Sequence, residues 1–225
     1  MKYLFDTANI ELIEKYANKL PIAGITTNPS IIKKEGKIDF FAHFAKIREI
    51  IGREKSLHVQ VTTNTEEEII CEAYAICDRI DKDVYIKIPV TVEGLAAIKE
   101  LKKDNFHITA TAIYTKMQGF LAMEAGADFI APYYNRMQNL DINSDETIMA
   151  FADAISRYNY STQILAASFK NMGQVNRAIE CGAQTVTLGP EIMLDAFKMP
   201  SIAKAVNDFH ADWVKTIGDI SIDKL

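Results

Sequence analysis

Eight short segments, either apolar or with alternating apolar and polar residues, recur along the 225 residues of this chain, and stretches with helical periodicity separate them. Segments that are apolar throughout indicate β-strands covered on both faces, and helices between such strands connect them in parallel. The predicted strands lie at residues 3–6, 24–27, 57–62, 84–88, 107–112, 129–132, 163–167 and 185–188.

Two architectures are built from repeated strand–helix units, the closed (β/α)8 barrel and the open doubly wound sheet. Eight units in 225 residues give about 28 residues per unit, which suits a compact barrel. The open sheet often carries a glycine-rich phosphate loop after its first strand, whereas residues 6–9 of this chain contain no glycine. We therefore predict a single α/β domain with the (β/α)8 TIM-barrel fold.

One helical segment is left over after the eighth unit. Residues 201–217 carry an apolar stripe at helical spacing, formed by Ile202, Val206, Phe209 and Trp213. We expect residues 1–200 to form the barrel and residues 201–225 to form a C-terminal helix and tail. Because the barrel is already complete, the stripe is expected to cover a barrel end or a neighbouring subunit.

Composition limits the partners. The net charge is −5 and no cluster of basic residues is apparent, so neither nucleic acid nor an acidic membrane surface is an expected partner. No apolar run reaches the ~20 residues of a membrane span, and Asp6 interrupts the only apolar stretch near the N-terminus. Cys71, Cys77 and Cys181 have no metal-like spacing and indicate reduced thiols. We expect a cytoplasmic protein without a metal site.

Lys87 lies in the middle of the predicted strand at residues 83–90. If both faces of this strand are covered, the ammonium group is desolvated, its pKa falls, and the free amine becomes a nucleophile toward carbonyl groups. The alternative is an edge strand from which the lysine reaches water. The two interpretations differ in whether the side chain is buried.

Other polar residues follow the predicted strands at their carboxyl ends, where barrel enzymes carry their active sites. The candidates are Asp6, Thr26, Asn28, Gln60, Thr111, Tyr133, Arg136, Ser168 and Lys170. Each has a structural alternative, such as a helix cap or a hydrogen-bonded core position. His58 and His107 lie nearer the strand starts and are predicted to be structural. The set as a whole predicts a site for a carbonyl compound rich in hydroxyl groups, with an anion beside the two cations.

Four segments stand out along the chain: Gly-Ile-Thr-Thr-Asn-Pro-Ser at 24–30, Ile-Lys-Ile-Pro-Val-Thr-x-Glu-Gly at 86–94, Ala-Pro-Tyr-x-Asn-Arg at 131–136 and Leu-Ala-Ala-Ser-Phe-Lys at 165–170. In this order they resemble the small transaldolase family, and most closely its fructose-6-phosphate aldolase branch. The resemblance spans nearly the whole chain. It implies a class I aldolase that works through a Schiff base without a metal or organic cofactor.

The resemblance also implies roles for individual residues. Lys87 matches the Schiff-base lysine. Asp6 and Asn28 match residues that bind the hydroxyl groups of the donor and assist proton transfer, and Thr26 is expected to bind substrate beside them. The family further implies rings of five subunits, commonly paired as decamers, in which the C-terminal helix lies on a neighbour.

Gln60, Thr111 and Tyr133 match the set that holds a catalytic water or donates a proton. Transaldolases of this family typically carry Glu at the first of these positions and Phe at the last, so the chain resembles the aldolase branch. A tyrosine hydroxyl can protonate the enamine and release the donor, whereas phenylalanine favours an intermediate that waits for a second aldehyde.

Arg136, Ser168 and Lys170 match the site for the phosphate of the acceptor. Two neighbouring segments depart from the family pattern. Residues 137–139 lack an acidic residue that is usual there, and Gly-Pro-Glu at 189–191 differs from the aldolase pattern after strand eight. Recognition of the acceptor is therefore the least defined part of the resemblance.

The favoured function is reversible cleavage of fructose 6-phosphate to dihydroxyacetone and glyceraldehyde 3-phosphate, or a related aldol reaction. The same residues would serve a transaldolase of the pentose phosphate pathway that transfers a dihydroxyacetone unit to erythrose 4-phosphate. A third possibility from another class is a barrel that binds sugar phosphates without turnover.

Overall fold

A computed structural model describes residues 1–225, and its eight parallel strands close into a barrel in sequence order. The strands are β1 (Lys2–Asp6), β2 (Ile22–Thr26), β3 (Ser56–Gln60), β4 (Tyr85–Pro89), β5 (His107–Ile113), β6 (Phe129–Pro132), β7 (Gln163–Ala166) and β8 (Thr185–Leu188). The prediction of a (β/α)8 barrel is confirmed.

Eleven α-helices surround or follow the strands. They are α1 (Ile10–Tyr16), α2 (Pro29–Ile32), α3 (Phe40–Ile51), α4 (Glu66–Arg79), α5 (Val92–Lys103), α6 (Lys116–Glu124), α7 (Tyr134–Asn139), α8 (Ser144–Tyr158), α9 (Met172–Glu180), α10 (Pro190–Asp195) and α11 (Pro200–Thr216). Short 3₁₀ turns occupy Lys33–Glu35 and Ile222–Lys224.

Strand register determines which side chains face the barrel interior. Val59, Ile86 and Ile108 lie side by side on β3, β4 and β5, and all three are fully buried members of the hydrophobic core. Side chains alternate along a strand, so the next residue on β4, Lys87, projects to the opposite face. The lysine therefore lies on the inner side of a closed sheet and not on an edge strand.

His58 lies inside the barrel nearer the amino ends of the strands than Lys87, level with Tyr85 in the strand register. It is completely buried, its Nδ1 and Nε2 lie 2.8 Å from Thr109 Oγ1 and 3.0 Å from Ser56 Oγ, and its ring stacks on Tyr85. Burial holds the pKa of His58 well below its ordinary value, with a smaller contribution from the charge of Lys87. This environment suits the structural role predicted for the residue.

The last long helix, α11, contains no buried residue. Its apolar stripe is open to solvent, since Ile202 is 42%, Val206 60% and Phe209 71% exposed. Trp213 is partly covered and donates a hydrogen bond from Nε1 to the carbonyl oxygen of Ile220 at 2.8 Å. No helix in the structure combines the length and hydrophobicity needed to cross a membrane.

Candidate active site

A cavity of about 230 Å³ opens at the carboxyl ends of the strands. Seven of the residues predicted from the sequence line it: Asp6, Asn28, Lys87, Tyr133, Arg136, Ser168 and Lys170. A larger groove of about 510 Å³ lies on the outer surface between α6 and α8, but its charged residues are all exposed. The barrel cavity contains the buried Lys87 at the carboxyl ends of the strands, where barrel enzymes carry their chemistry.

Lys87 is 4% exposed at the base of this cavity, and its Nζ donates a hydrogen bond to the carbonyl oxygen of Thr27 at 2.8 Å. No carboxylate lies within ion-pair distance of the ammonium group. Burial lowers the pKa of Lys87, and the negative charge of Asp6 opposes this effect only in part. The lysine therefore reaches the neutral, nucleophilic form more readily than an exposed lysine does.

Asp6 ends β1 beside the lysine and is held by Thr26, which is itself bonded to Thr187. Thr26 Oγ1 donates to Asp6 Oδ1 at 2.7 Å and lies 2.6 Å from Thr187 Oγ1. Because a hydroxyl group has one proton to donate, Thr187 is the donor to Thr26 when Thr26 donates to Asp6. This chain fixes the orientation of the carboxylate while leaving its second oxygen free to accept a proton.

Tyr133 follows β6, and its hydroxyl lies 3.0 Å from Thr111 Oγ1 on β5. Burial raises the pKa of Tyr133, while the hydrogen bond with Thr111 and the charge of Arg136 act in the opposite direction. The phenol keeps its proton at neutral pH and can donate it within the cavity.

Asn28 has a structural role as well as a place in the cavity. Its Oδ1 accepts a hydrogen bond from the backbone N–H of Ile31 at 3.1 Å, and Pro29 occupies the first position of α2. The Asn28 side-chain Nδ2 donates no hydrogen bond within the protein. The helix cap thus orients an amide whose donor group remains available to a ligand.

The cavity mouth is cationic. The guanidinium group of Arg136 lies 4.7 Å from the centre of the Tyr133 ring, and its Nη1 donates to the Tyr114 hydroxyl at 3.2 Å. Ser168 adopts a left-handed conformation with φ of 63° and accepts a backbone hydrogen bond from Asn135 at 3.0 Å. Lys170 is exposed and forms no salt bridge. These groups can bind an anion, because their charges are not neutralised within the protein.

Three predicted residues do not line the cavity. Thr26 and Thr111 are buried directly behind it, bonded to Asp6 and Tyr133. Gln60 is paired with Lys87 in the strand register, yet it lines a separate depression beside α3 and α4. Its buried Oε1 has no hydrogen-bond partner among the protein groups. A role for Gln60 in holding water stays a prediction.

Ten of the 17 residues that line the cavity were not predicted, and three of these affect its charge or its hydrogen bonds. Lys34 and Glu191 line the cavity, and Thr187 does so while bonding Thr26. Thr187 could have been found from its place near the end of strand eight. Gly-Pro-Glu at residues 189–191, which differs from the family pattern, drew attention to Glu191. Lys34 lies beyond a helical turn, and nothing in the sequence indicated that it reaches the cavity.

The fold and site together define a (β/α)8-barrel protein with a buried strand lysine among proton donors and acceptors, an arrangement suited to carbonyl chemistry. A family model described as Transaldolase/Fructose-6-phosphate aldolase matches residues 3–224. A probable fructose-6-phosphate aldolase from Streptococcus pneumoniae (strain ATCC 700669 / Spain 23F-1) is 53% identical over 213 residues, which cover 95% of this chain and 96% of that protein. The chain belongs to the transaldolase/fructose-6-phosphate aldolase family.

Proposed function

We propose that this protein is a class I aldolase that reversibly cleaves fructose 6-phosphate to dihydroxyacetone and glyceraldehyde 3-phosphate, or catalyses a related aldol reaction of a dihydroxyacetone-type donor. The observation that carries the proposal is the buried Lys87 at the base of the cavity, with Asp6 and Tyr133 beside it and cations at the mouth. Similarity to the pneumococcal relative, named as a probable fructose-6-phosphate aldolase, supports the same substrate.

The reaction begins when Nζ of Lys87 attacks the ketone carbon of the sugar. The resulting carbinolamine loses its hydroxyl group as water and becomes an iminium ion. The second oxygen of Asp6 then takes the proton of the C4 hydroxyl, the C3–C4 bond breaks, and its electron pair moves into an enamine on Lys87. The aldehyde fragment leaves with its phosphate toward Arg136, Ser168 and Lys170.

The enamine must be protonated before the donor can leave. Tyr133, or a water molecule held by Tyr133, Thr111 and Gln60, gives a proton to C3, and hydrolysis of the new iminium ion frees dihydroxyacetone and Lys87. Thr26 and Asn28 position the donor end, one by orienting Asp6 and the other through its free amide.

A transaldolase is the second candidate, because the family contains both activities. It would keep the enamine until erythrose 4-phosphate arrives. The hydroxyl of Tyr133 inside the cavity favours the aldolase, since a positioned acid shortens the life of the enamine.

The test is covalent trapping. The protein is incubated with dihydroxyacetone or fructose 6-phosphate and sodium borohydride, and intact mass and peptide mapping locate the reduced adduct. We expect the adduct on Lys87 and none in Lys87→Met. Lys170→Met is the matched control, because it removes a lysine from the same cavity and should still be labelled.

The outcomes separate the three functions. An adduct together with cleavage that needs no added acceptor supports the aldolase. An adduct with turnover only in the presence of erythrose 4-phosphate supports the transaldolase. Sugar-phosphate binding that survives Lys87→Met, without any adduct, would show a binding protein and overturn the proposal.

The assembly is a separate proposal. The exposed apolar stripe of α11 supports a homo-oligomer, a pentamer or decamer, in which residues 201–225 pack on a neighbouring subunit. Phe209→Asp should lower the mass measured by light scattering while circular dichroism stays unchanged. A monomeric wild-type protein would contradict it. The three free cysteines support a reducing compartment such as the cytoplasm.

A further inference from the structure

Glu191 is the only carboxylate other than Asp6 that lines the cavity. It lies in the first turn of α10, just after β8, and a Cβ atom on Gly189 would lie 2.1 Å from its Oε1 and 2.6 Å from its Oε2. Both oxygens are therefore folded back over Gly189, which also lines the cavity. A residue with a side chain at position 189 would displace the carboxylate.

The carboxylate of Glu191 forms no salt bridge or hydrogen bond within the protein. The cations at the mouth, Lys34, Arg136 and Lys170, have no carboxylate partner either, and all four residues are exposed. All four residues line the same cavity of about 230 Å³, so a phosphate bound there has each of them as a neighbour. The negative charge of Glu191 therefore acts on the same ligand as the three positive charges.

We propose that Glu191 determines acceptor specificity by weakening the binding of dianionic phosphate esters, so that uncharged hydroxyaldehydes compete as acceptors. This inference rests on the proposed aldolase function and names its substrate class. A carboxylate facing a dianion raises the free energy of the bound state, whereas its effect on a neutral aldehyde is small. The same carboxylate can accept a hydrogen bond from a hydroxyl group of the neutral acceptor.

A different explanation is that Glu191 only stabilises the start of α10, where acidic residues are favourable. That explanation predicts a lower melting temperature for Glu191→Gln and no change in acceptor preference. The two explanations are therefore separated by measuring preference and stability on the same variants.

The experiment compares the addition of dihydroxyacetone to glyceraldehyde 3-phosphate and to glyceraldehyde. For Glu191→Gln we expect the ratio of kcat/KM for the phosphorylated over the neutral aldehyde to rise about three- to tenfold at low ionic strength. The rise should shrink in 0.5 M salt, because the Debye length falls to about 4 Å. Lys34→Gln should change the ratio in the opposite direction.

Asp195→Asn is the matched control. It removes the same charge from the same helix, but Asp195 lies outside the cavity and pairs with Lys198. Its ratio should stay within twofold of the wild type. A calorimetric dissociation constant for glycerol 3-phosphate gives a second readout that needs no turnover, and Glu191→Gln should tighten it by a similar factor.

The inference fails if Glu191→Gln leaves both the ratio and the glycerol 3-phosphate affinity unchanged, or if Asp195→Asn changes them equally. The proposed function fails in a different way, through the absence of turnover with either aldehyde. In that case the calorimetric comparison still decides whether Glu191 repels phosphate.

Discussion

Replacing Tyr133 by phenylalanine tests the acid chemistry of the site with the loss of one oxygen atom. The ring is retained, and so is its contact with the guanidinium group of Arg136 at 4.7 Å. The hydroxyl that lies 3.0 Å from Thr111 Oγ1 is lost. The substitution therefore removes a proton donor from the cavity while leaving Lys87 and the cationic mouth in place.

The substitution should lower both the catalytic rate and the folding stability, and the size of each loss can be estimated. A positioned general acid typically contributes 10²–10⁴-fold to rate, or about 2.7–5.5 kcal/mol at ~1.36 kcal/mol per decade. Leaving the buried Thr111 hydroxyl without its partner costs about 1–3 kcal/mol of folding stability. For a chain of this length, each kcal/mol lowers the melting temperature by roughly 2–4 °C. The catalytic loss should thus exceed the stability loss.

The assay measures fructose 6-phosphate cleavage and transfer to erythrose 4-phosphate side by side. We expect Tyr133→Phe to lose cleavage by about 10²–10⁴-fold and transfer much less, because transfer uses the enamine before protonation. Thr111→Val is the comparison variant, since it removes the same hydrogen bond but keeps the phenol, and it should lose less cleavage activity than Tyr133→Phe. Both variants should still form the borohydride adduct on Lys87.

Two results would refute this reasoning. One is cleavage by Tyr133→Phe within tenfold of the wild-type rate. The other is a wild-type cleavage rate that falls as the pH rises, with an apparent pKa well below the ordinary tyrosine value. Burial raises the pKa of Tyr133, so its hydroxyl should stay protonated in that pH range. Either result would assign the proton transfer to another group.

Three further predictions concern stability and binding. Burial lowers the pKa of His58, so the folded protein keeps this residue neutral at a pH where the unfolded chain binds a proton on it. The free energy of unfolding should therefore fall as the pH drops below ~6.5, by up to ~1.4 kcal/mol per pH unit. Urea titrations at several pH values should show a weaker pH dependence for His58→Gln. Gly119→Ala would place a Cβ 2.2 Å from the Phe151 ring and should lower the free energy of unfolding by about 1–3 kcal/mol, despite better helix propensity. Ser168→Gly should raise the melting temperature by relieving about 1 kcal/mol of strain at φ of 63°, while the KM for phosphorylated substrates increases.

The fold was predictable because local and global signals agree. Each strand is a short apolar or alternating segment, and side-chain caps begin the helices between them, as the capping box of Thr115 and Gln118 does at the start of α6. Predicted strand limits lie within two residues of the observed ones. The surface against which α11 packs was harder to predict from the sequence, because an apolar stripe indicates that a helix face packs on something but not on which surface.

The site was predictable where chemistry lies on a strand and less so where it lies on a loop. Parallel strands end at one face of the barrel, so Asp6 and Lys87 had to converge. Gln60 is paired with Lys87 in the strand register, but the residue lines another depression and not the cavity. Lys34 and Glu191 reach the cavity through the path of short helical turns after β2 and β8, and strand periodicity contains no information about such paths.

In the proposed mechanism, the reactivity of Lys87 depends on how the site keeps the carboxylate of Asp6 near the lysine without an ion pair between the two. Asp6 has to be close enough to move a proton, and its charge raises the pKa of Lys87. Burial has the larger effect on this pKa. The carboxylate accepts a hydrogen bond from Thr26, while the ammonium group donates to the carbonyl oxygen of Thr27, so the two groups form no direct ion pair. A direct ion pair would hold the proton on the lysine and prevent attack on the ketone. In the proposed mechanism, the chain from Thr187 through Thr26 to Asp6 therefore keeps the base available and leaves Lys87 free to lose its proton.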